Sequence, residues 1–427
     1  ADIKLDQSFI LHKSGKILEA LNIIQKVEND FRVKEDFEHI LKPLNRRGQI
    51  LLSLGNYKEA LAAFIEEEVY CRKYGNMASL ATSLSNQGTI YIENDLPKAL
   101  EVYKEQESIS RKLNSKSLLA NSLANQGCVL KNMGRINEAK EVLNDAEGIC
   151  VEINDLFDLQ RTFGEFGTIE LLLNNDDGAL QYFKRQESIS RKICDQVVLS
   201  KSLFNQATIL EKRNKLVEGS LLLKEHSEIC RTFSNNNMLI NSLRARARIQ
   251  YKLKNFDCAL SLLQEVESLC IVVGDKLTLS EVIDNQSEIV RQQGDYREAL
   301  KLTVECERIC RENGYSEKLQ SVLGNKALIL KSNSDFKGAM SLLKEQEVIC
   351  RNDNLTDGLL RSLRDQASIL GSLGDLMSTL KLLQEVESIC REIQDWNGLY
   401  QNLGFQALVF HAGGNDQKAR EKTQEQG

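Results

Sequence analysis

The chain has 427 residues, 42% hydrophobic and 27% charged, with 55 Lys and Arg against 61 Asp and Glu, a net charge of −6. That balance argues against a nucleic-acid-binding body, which is usually basic, and no run approaches the roughly 18 apolar residues of a membrane-spanning helix. Two prolines, Pro43 and Pro97, leave long helices uninterrupted, and the opening Ala1-Asp2-Ile3-Lys4 lacks the layout of a signal peptide.

Followed from the N-terminus, one small residue returns at a fixed interval: Ala20, Ala60, Ala99, Ala139, Ala179, Gly219, Ala259, Ala299, Ala339, Thr379 and Ala419. Every step is 40 residues except Ala60 to Ala99, which is 39. A second column holds Cys71, Cys150, Cys230, Cys270, Cys310, Cys350 and Cys390, with Ser110 and Ser190 in its gaps. A period between about 20 and 50 residues marks a stacked repeat array, whose core grows by adding neighbours. The whole chain, 1–427, is therefore expected to be a single array.

Each repeat reads as two helices. In 118–151, Leu119, Leu123, Val129, Leu130 and Met133 recur at helical spacing. Gly134-Arg135 then breaks the run, and Ile136, Ala139, Val142, Leu143, Ala146 and Ile149 resume it. The break recurs as Gly55-Asn56, Asn94-Asp95, Gly294-Asp295, Gly374-Asp375 and Gly414-Asn415. Gly or Asn takes the left-handed conformation that ends a helix, and the following Asp or Asn caps the next. Strand signatures do not occur. The least regular joints are 31–42 and 232–238.

The eleven cysteines do not read as disulfides or zinc ligands. Neighbouring repeats lie about 8–10 Å apart, whereas a disulfide needs Cα atoms within about 7 Å, and Ser replaces Cys in the column. Cys306 and Cys310 sit at i and i+4 with no further ligand placed to complete a metal site. Buried, reduced packing residues are expected, which points to a reducing compartment, the cytoplasm.

A column of small residues on the first helix reads Gly48, Gly88, Gly127, Gly167, Ala207, Ala247, Ser287, Ala327, Ala367 and Ala407. Together with the alanine column, it resembles the tetratricopeptide repeat, in which such residues sit where two antiparallel helices approach. Tyr91 and Tyr251, and Tyr57, Phe256, Tyr296 and Phe336, stand at or near the aromatic sites of that family. The resemblance covers essentially the whole chain. It implies an all-α, right-handed superhelical solenoid of about eleven antiparallel helix pairs. It departs from the family where a helix-ending proline is replaced by Arg72, Arg111, Arg191, Arg231, Arg311, Arg351 and Arg391. Glu68, Glu107, Glu187, Glu307, Glu347 and Glu387 lie four residues before six of these, as helix-stabilising pairs. The longer unit is similar to the arms of kinesin light chains and of signalling ATPases with repeat sensors.

The resemblance also implies a ligand-binding groove lined by the first helices. One of its positions carries Asn86, Asn125, Asn205, Asn285 and Asn325, broken by Glu165, Ala245, Asp365 and Phe405. Asn is a mediocre helix former, and its amide offers two donors and an acceptor, enough to hold an extended peptide backbone. The same residues would equally serve as hydrogen bonds between repeats or be solvated. Lys201, Arg244, Arg248, Arg361 and Arg364 add a basic lining that suits an acidic partner segment. Asp284, Glu281 and Glu288 lie between them and would neutralise part of it. Arg246 is expected between helices.

The four histidines (His12, His39, His226, His411) fall at unrelated repeat positions. None of the usual nucleotide, zinc or nucleophile-elbow motifs occurs. The expectation is a protein–protein interaction scaffold that binds a peptide or protein segment, with no catalytic or metal residues and no cofactor. Its rival is the ligand-sensing repeat domain of a larger nucleotide-driven signalling protein. The final helix pair, with Trp396 and Phe405–Phe410, would leave apolar surface open, as expected of part of a longer polypeptide or larger complex.

Overall fold

The structure, a computed structural model, describes residues 2–13, 16–36, 38–233 and 235–426. Residues 37 and 234, within the two irregular joints, lie outside the described residues, as does Ala1. The regular structure of the described residues is α-helical throughout. It divides into two compact units, one ending at Lys212 and one beginning at Arg213.

The first unit holds α1 (Asp2–Lys13), α2 (Ile17–Val33), α3 (Leu41–Ser53), α4 (Tyr57–Tyr74), α5 (Met77–Asn94), α6 (Leu96–Lys112), α7 (Lys116–Asn132), α8 (Ile136–Ile153), α9 (Leu156–Leu172), α10 (Asp176–Lys192) and α11 (Gln196–Lys212). The second holds α12 (Leu216–Thr232), α13 (Asn236–Lys252), α14 (Phe256–Val273), α15 (Lys276–Gln292), α16 (Tyr296–Asn313), α17 (Ser316–Ser332), α18 (Phe336–Asn352), α19 (Thr356–Ser372), α20 (Leu376–Glu392), α21 (Trp396–Ala412) and α22 (Asp416–Gln426). In each unit, consecutive helices pack as hairpins, and each hairpin stacks on the next.

Local chemistry sets the hairpins. Gly134 adopts φ 77°, and the backbone N–H of Arg135 returns to Leu130 O at 2.9 Å, closing α7. The side chains of Asn56, Asp295 and Asp375 cap α4, α16 and α20 by accepting from the third residue onward. Asn94 departs from the expected pattern. It remains helical, and Asp95 alone joins α5 to α6 at φ −151° while capping Lys98 N at 3.0 Å. The 39-residue step thus removes the left-handed residue that the longer repeats use.

The core lies between the helices of each hairpin and between hairpins. Ala20, Ala60, Ala99, Ala139, Ala179, Ala259, Ala299 and Ala339 are wholly buried. A Cβ on Gly167 would come within 2.6 Å of the Phe183 ring, so only glycine admits that aromatic. Cys71, Cys150, Cys230, Cys270, Cys310, Cys350 and Cys390 are buried free thiols. Trp396, Tyr400, Phe405 and Leu408 of α21 are exposed.

Candidate partner-binding face

The asparagine column divides in two. Asn125 donates to Ser85 Oγ at 3.4 Å and to Asn121 at 3.2 Å, and accepts from Arg161 at 2.8 Å. Asn325 donates to Asp284 at 2.8 Å and accepts from Arg361 at 2.7 Å. Both amides join the repeat before to the repeat after, so these two asparagines hold neighbouring first helices in register. Asn205 and Asn285 make no side-chain hydrogen bond to any described residue, and Asn285 is exposed. Asn86 Nδ2 is buried without a partner.

Most of the basic lining is engaged. Arg244 pairs with Glu281. Arg361 is spent on Asn325. Arg364 donates to Cys390 Sγ at 3.5 Å and sits against Gly398. Lys201 and Arg248 are exposed. Neutralisation by intervening acids, expected from Glu281 and Asp284, is realised at Arg244 and at Lys318, which meets Asp284 at 2.6 Å.

Beside this face runs a ladder that the glutamate and arginine columns only half reveal. The amides of Gln87, Gln126, Gln206, Gln286, Gln366 and Gln406 donate to Glu68, Glu107, Glu187, Glu267, Glu347 and Glu387, each 19 residues back, at 2.6–2.9 Å. Lys326 meets Glu307 at 2.6 Å and Arg47 meets Glu28 at 2.8 Å in the same way. The arginine four residues after the glutamate completes the group, as Arg351 does with Glu347 at 2.8 Å. Such an arginine also reaches the following second helix, as Arg311 does to Glu345 at 2.7 Å. The expected i,i+4 pairs are therefore parts of a network tying three helices together. Its signal in the sequence was the glutamine column, legible only once a 19-residue offset is sought.

Several known proteins share the helical fold. The family model for the tetratricopeptide repeat matches residues 41–66 and 120–150. Those two segments are tetratricopeptide repeats. No curated protein matches the sequence. Among solved structures, a signal transduction ATPase with a tetratricopeptide repeat sensor, from Pyrococcus horikoshii, is 14% identical with a TM-score of 0.57. The match covers 90% of this chain and 55% of the ATPase, so the chain spans little more than half of that protein's length. The apo form of RapI is 14% identical over 80% of this chain and 95% of its own, with a TM-score of 0.61. The apo quorum sensor NprR of B. thuringiensis is 11% identical over 81% and 97%, with a TM-score of 0.55. At these identities the likeness is one of fold.

Two buried titratable groups stand at one repeat position of these tetratricopeptide repeats, each on a second helix. Burial raises Glu67 to about 7, and Asn45 Nδ2 lies 3.2 and 3.0 Å from its two carboxylate oxygens. It lines a cleft of about 430 Å³ with Asp6, Lys42, Arg46 and Gln49. His226, buried in α12, is held down at about 4 by desolvation. Among the described residues, no group of three or more His, Cys, Asp or Glu is placed to hold a metal ion. None of the described helices is long and apolar enough to cross a membrane.

Proposed function

We propose that this repeat array is a recognition arm that holds an extended peptide or protein segment along the first-helix face of the first unit, where Asn86 and Asn205 stand. The observation that supports it is the division of the asparagine column. Asn125 and Asn325 are spent on neighbouring repeats, while Asn86 Nδ2 is buried and unpaired and Asn205 and Asn285 meet no described side chain. A buried amide without a partner costs about 1–3 kcal/mol, and a peptide carbonyl arriving at Asn86 recovers it. Exposed Lys201, in the same unit, adds positive charge that would favour an acidic segment.

The likeness to an ATPase with a repeat sensor and to a quorum sensor favours a second reading. In it the same array senses a ligand and regulates a nucleotide-driven partner domain. Both readings place the ligand on the same face.

Photocrosslinking tests the site. A photoreactive residue replacing Asn205 in the whole chain should capture the bound segment from lysate, whereas one replacing exposed Glu141 on α8 should not. Equal capture at both positions, or capture at Glu141 alone, contradicts this placement.

A further inference from the structure

The glutamine–glutamate ladder is regular enough for its interruption between α12 and α13 to carry information. The two helices keep the usual register. Ser242 donates to Leu223 O at 3.1 Å, 19 residues back, as Ser83 does to Phe64 O and Ser362 to Leu343 O, both at 2.7 Å. In that register Arg246 occupies the glutamine place and Ser227 the glutamate place. The Ser227 hydroxyl turns to its own helix, donating to Lys224 O at 2.7 Å. Arg246 Nε is buried and meets no acceptor.

Other cations in the same place are paired: Arg47 with Glu28, Lys326 with Glu307. Arg231, four residues after Ser227, has likewise lost the carboxylate that its counterparts bond, and reaches forward to Glu265 at 2.6 Å. In the neighbouring repeats one carboxylate bonds the counterparts of both residues, as Glu347 does with Gln366 and Arg351, and here that carboxylate is missing. A desolvated guanidinium nitrogen without an acceptor is costly, and a planar carboxylate is its best-matched partner.

We infer that the slot formed by Arg246, Arg231 and Ser227 is a docking site for a Glu or Asp side chain of a peptide or protein partner. The missing rung of the ladder is supplied from outside the chain. Arg244, nearby on α13, is already committed to Glu281, which leaves Arg246 as the recognising group. This goes beyond the asparagine-face reading and uses none of its residues.

The test is fluorescence anisotropy with the whole chain at low ionic strength. The probe is a labelled, end-blocked hexapeptide of alternating Glu and Gly, and its Gln counterpart is the control. The wild type should bind the Glu peptide and not the Gln peptide. Arg246→Gln and Ser227→Glu should each weaken binding by about tenfold or more, the second by filling the slot with the chain's own carboxylate. Ser227→Glu should also raise the melting temperature, and Arg246→Gln, which restores the residue of the column, should leave the fold intact. Asn205→Ala should leave this binding unchanged, so failure here and failure of the asparagine-face reading are separate results. The inference is overturned if the wild type does not bind the Glu peptide, binds the Gln peptide equally, or is matched by both variants.

Discussion

The Gln366 amide meets the Glu347 carboxylate at 2.7 Å from the neighbouring helix, 19 residues further along the chain. Gln366 is buried, and Glu347 also takes Arg351 at 2.8 Å, so one carboxylate serves an amide inside and a guanidinium outside. The exposed ion pair contributes little by itself, and the buried amide is the larger part. Gln366→Leu should therefore cost about 1–2 kcal/mol. Arg351→Ala should cost about 0.5 kcal/mol or less. Urea unfolding of the two variants decides; equal losses would mean the outer pair carries the joint.

Close packing makes a second prediction. Gly167→Ala forces the new methyl group into the Phe183 ring, an overpacking worth about 1–3 kcal/mol. The second-unit repeats show the remedy, for Ala327 stands where Leu343 replaces the aromatic. The double variant Gly167→Ala/Phe183→Leu should melt closer to the wild type than Gly167→Ala alone. A double variant that melts lower still would refute the pairing.

Two buried groups tilt stability with pH in opposite senses. His226 is held at about 4 in the fold, below the value near 6.5 of an unfolded chain. Its contribution is present above about pH 6.5 and is lost as pH falls toward 4. Glu67 is raised to about 7 from an unfolded value near 4.5, so its protonated form favours the fold and stability declines as pH rises between them. Each effect is at most about 3 kcal/mol. His226→Gln should make the chain relatively more stable at pH 4.5 than at pH 8, and Glu67→Gln the reverse. Melting curves at the two pH values check both signs.

The asparagine column predicts a split between stability and binding. Asn125→Ala removes bonds to Ser85, Asn121 and Arg161 and should cost about 1–2 kcal/mol. Asn205→Ala and Asn285→Ala should leave the stability within about 0.5 kcal/mol of the wild type. Equal losses at all three positions would show that the column is structural throughout.

The hairpins, the buried alanine and cysteine columns and most capping residues were legible in the sequence, because each depends on side-chain size or on local backbone chemistry that repeats every 40 residues. Asn94 was misread, since a one-residue deletion lets Asp95 both end one helix and cap the next. The site was only partly legible. Asn125 and Asn205 are the same residue at the same repeat position, yet their roles differ through Arg161, which lies 36 residues beyond Asn125, where Asn205 has Asn241. Partner choice of that kind depends on side chains two helices away. Arg246 was placed between helices, but its missing carboxylate shows only against the completed ladder.

The most direct test of the recognition-arm account is the affinity of a captured segment for the whole chain and for the double variant Asn86→Ala/Asn205→Ala. The account predicts a loss of at least about tenfold with the melting temperature retained. Undiminished affinity in a folded double variant would contradict it.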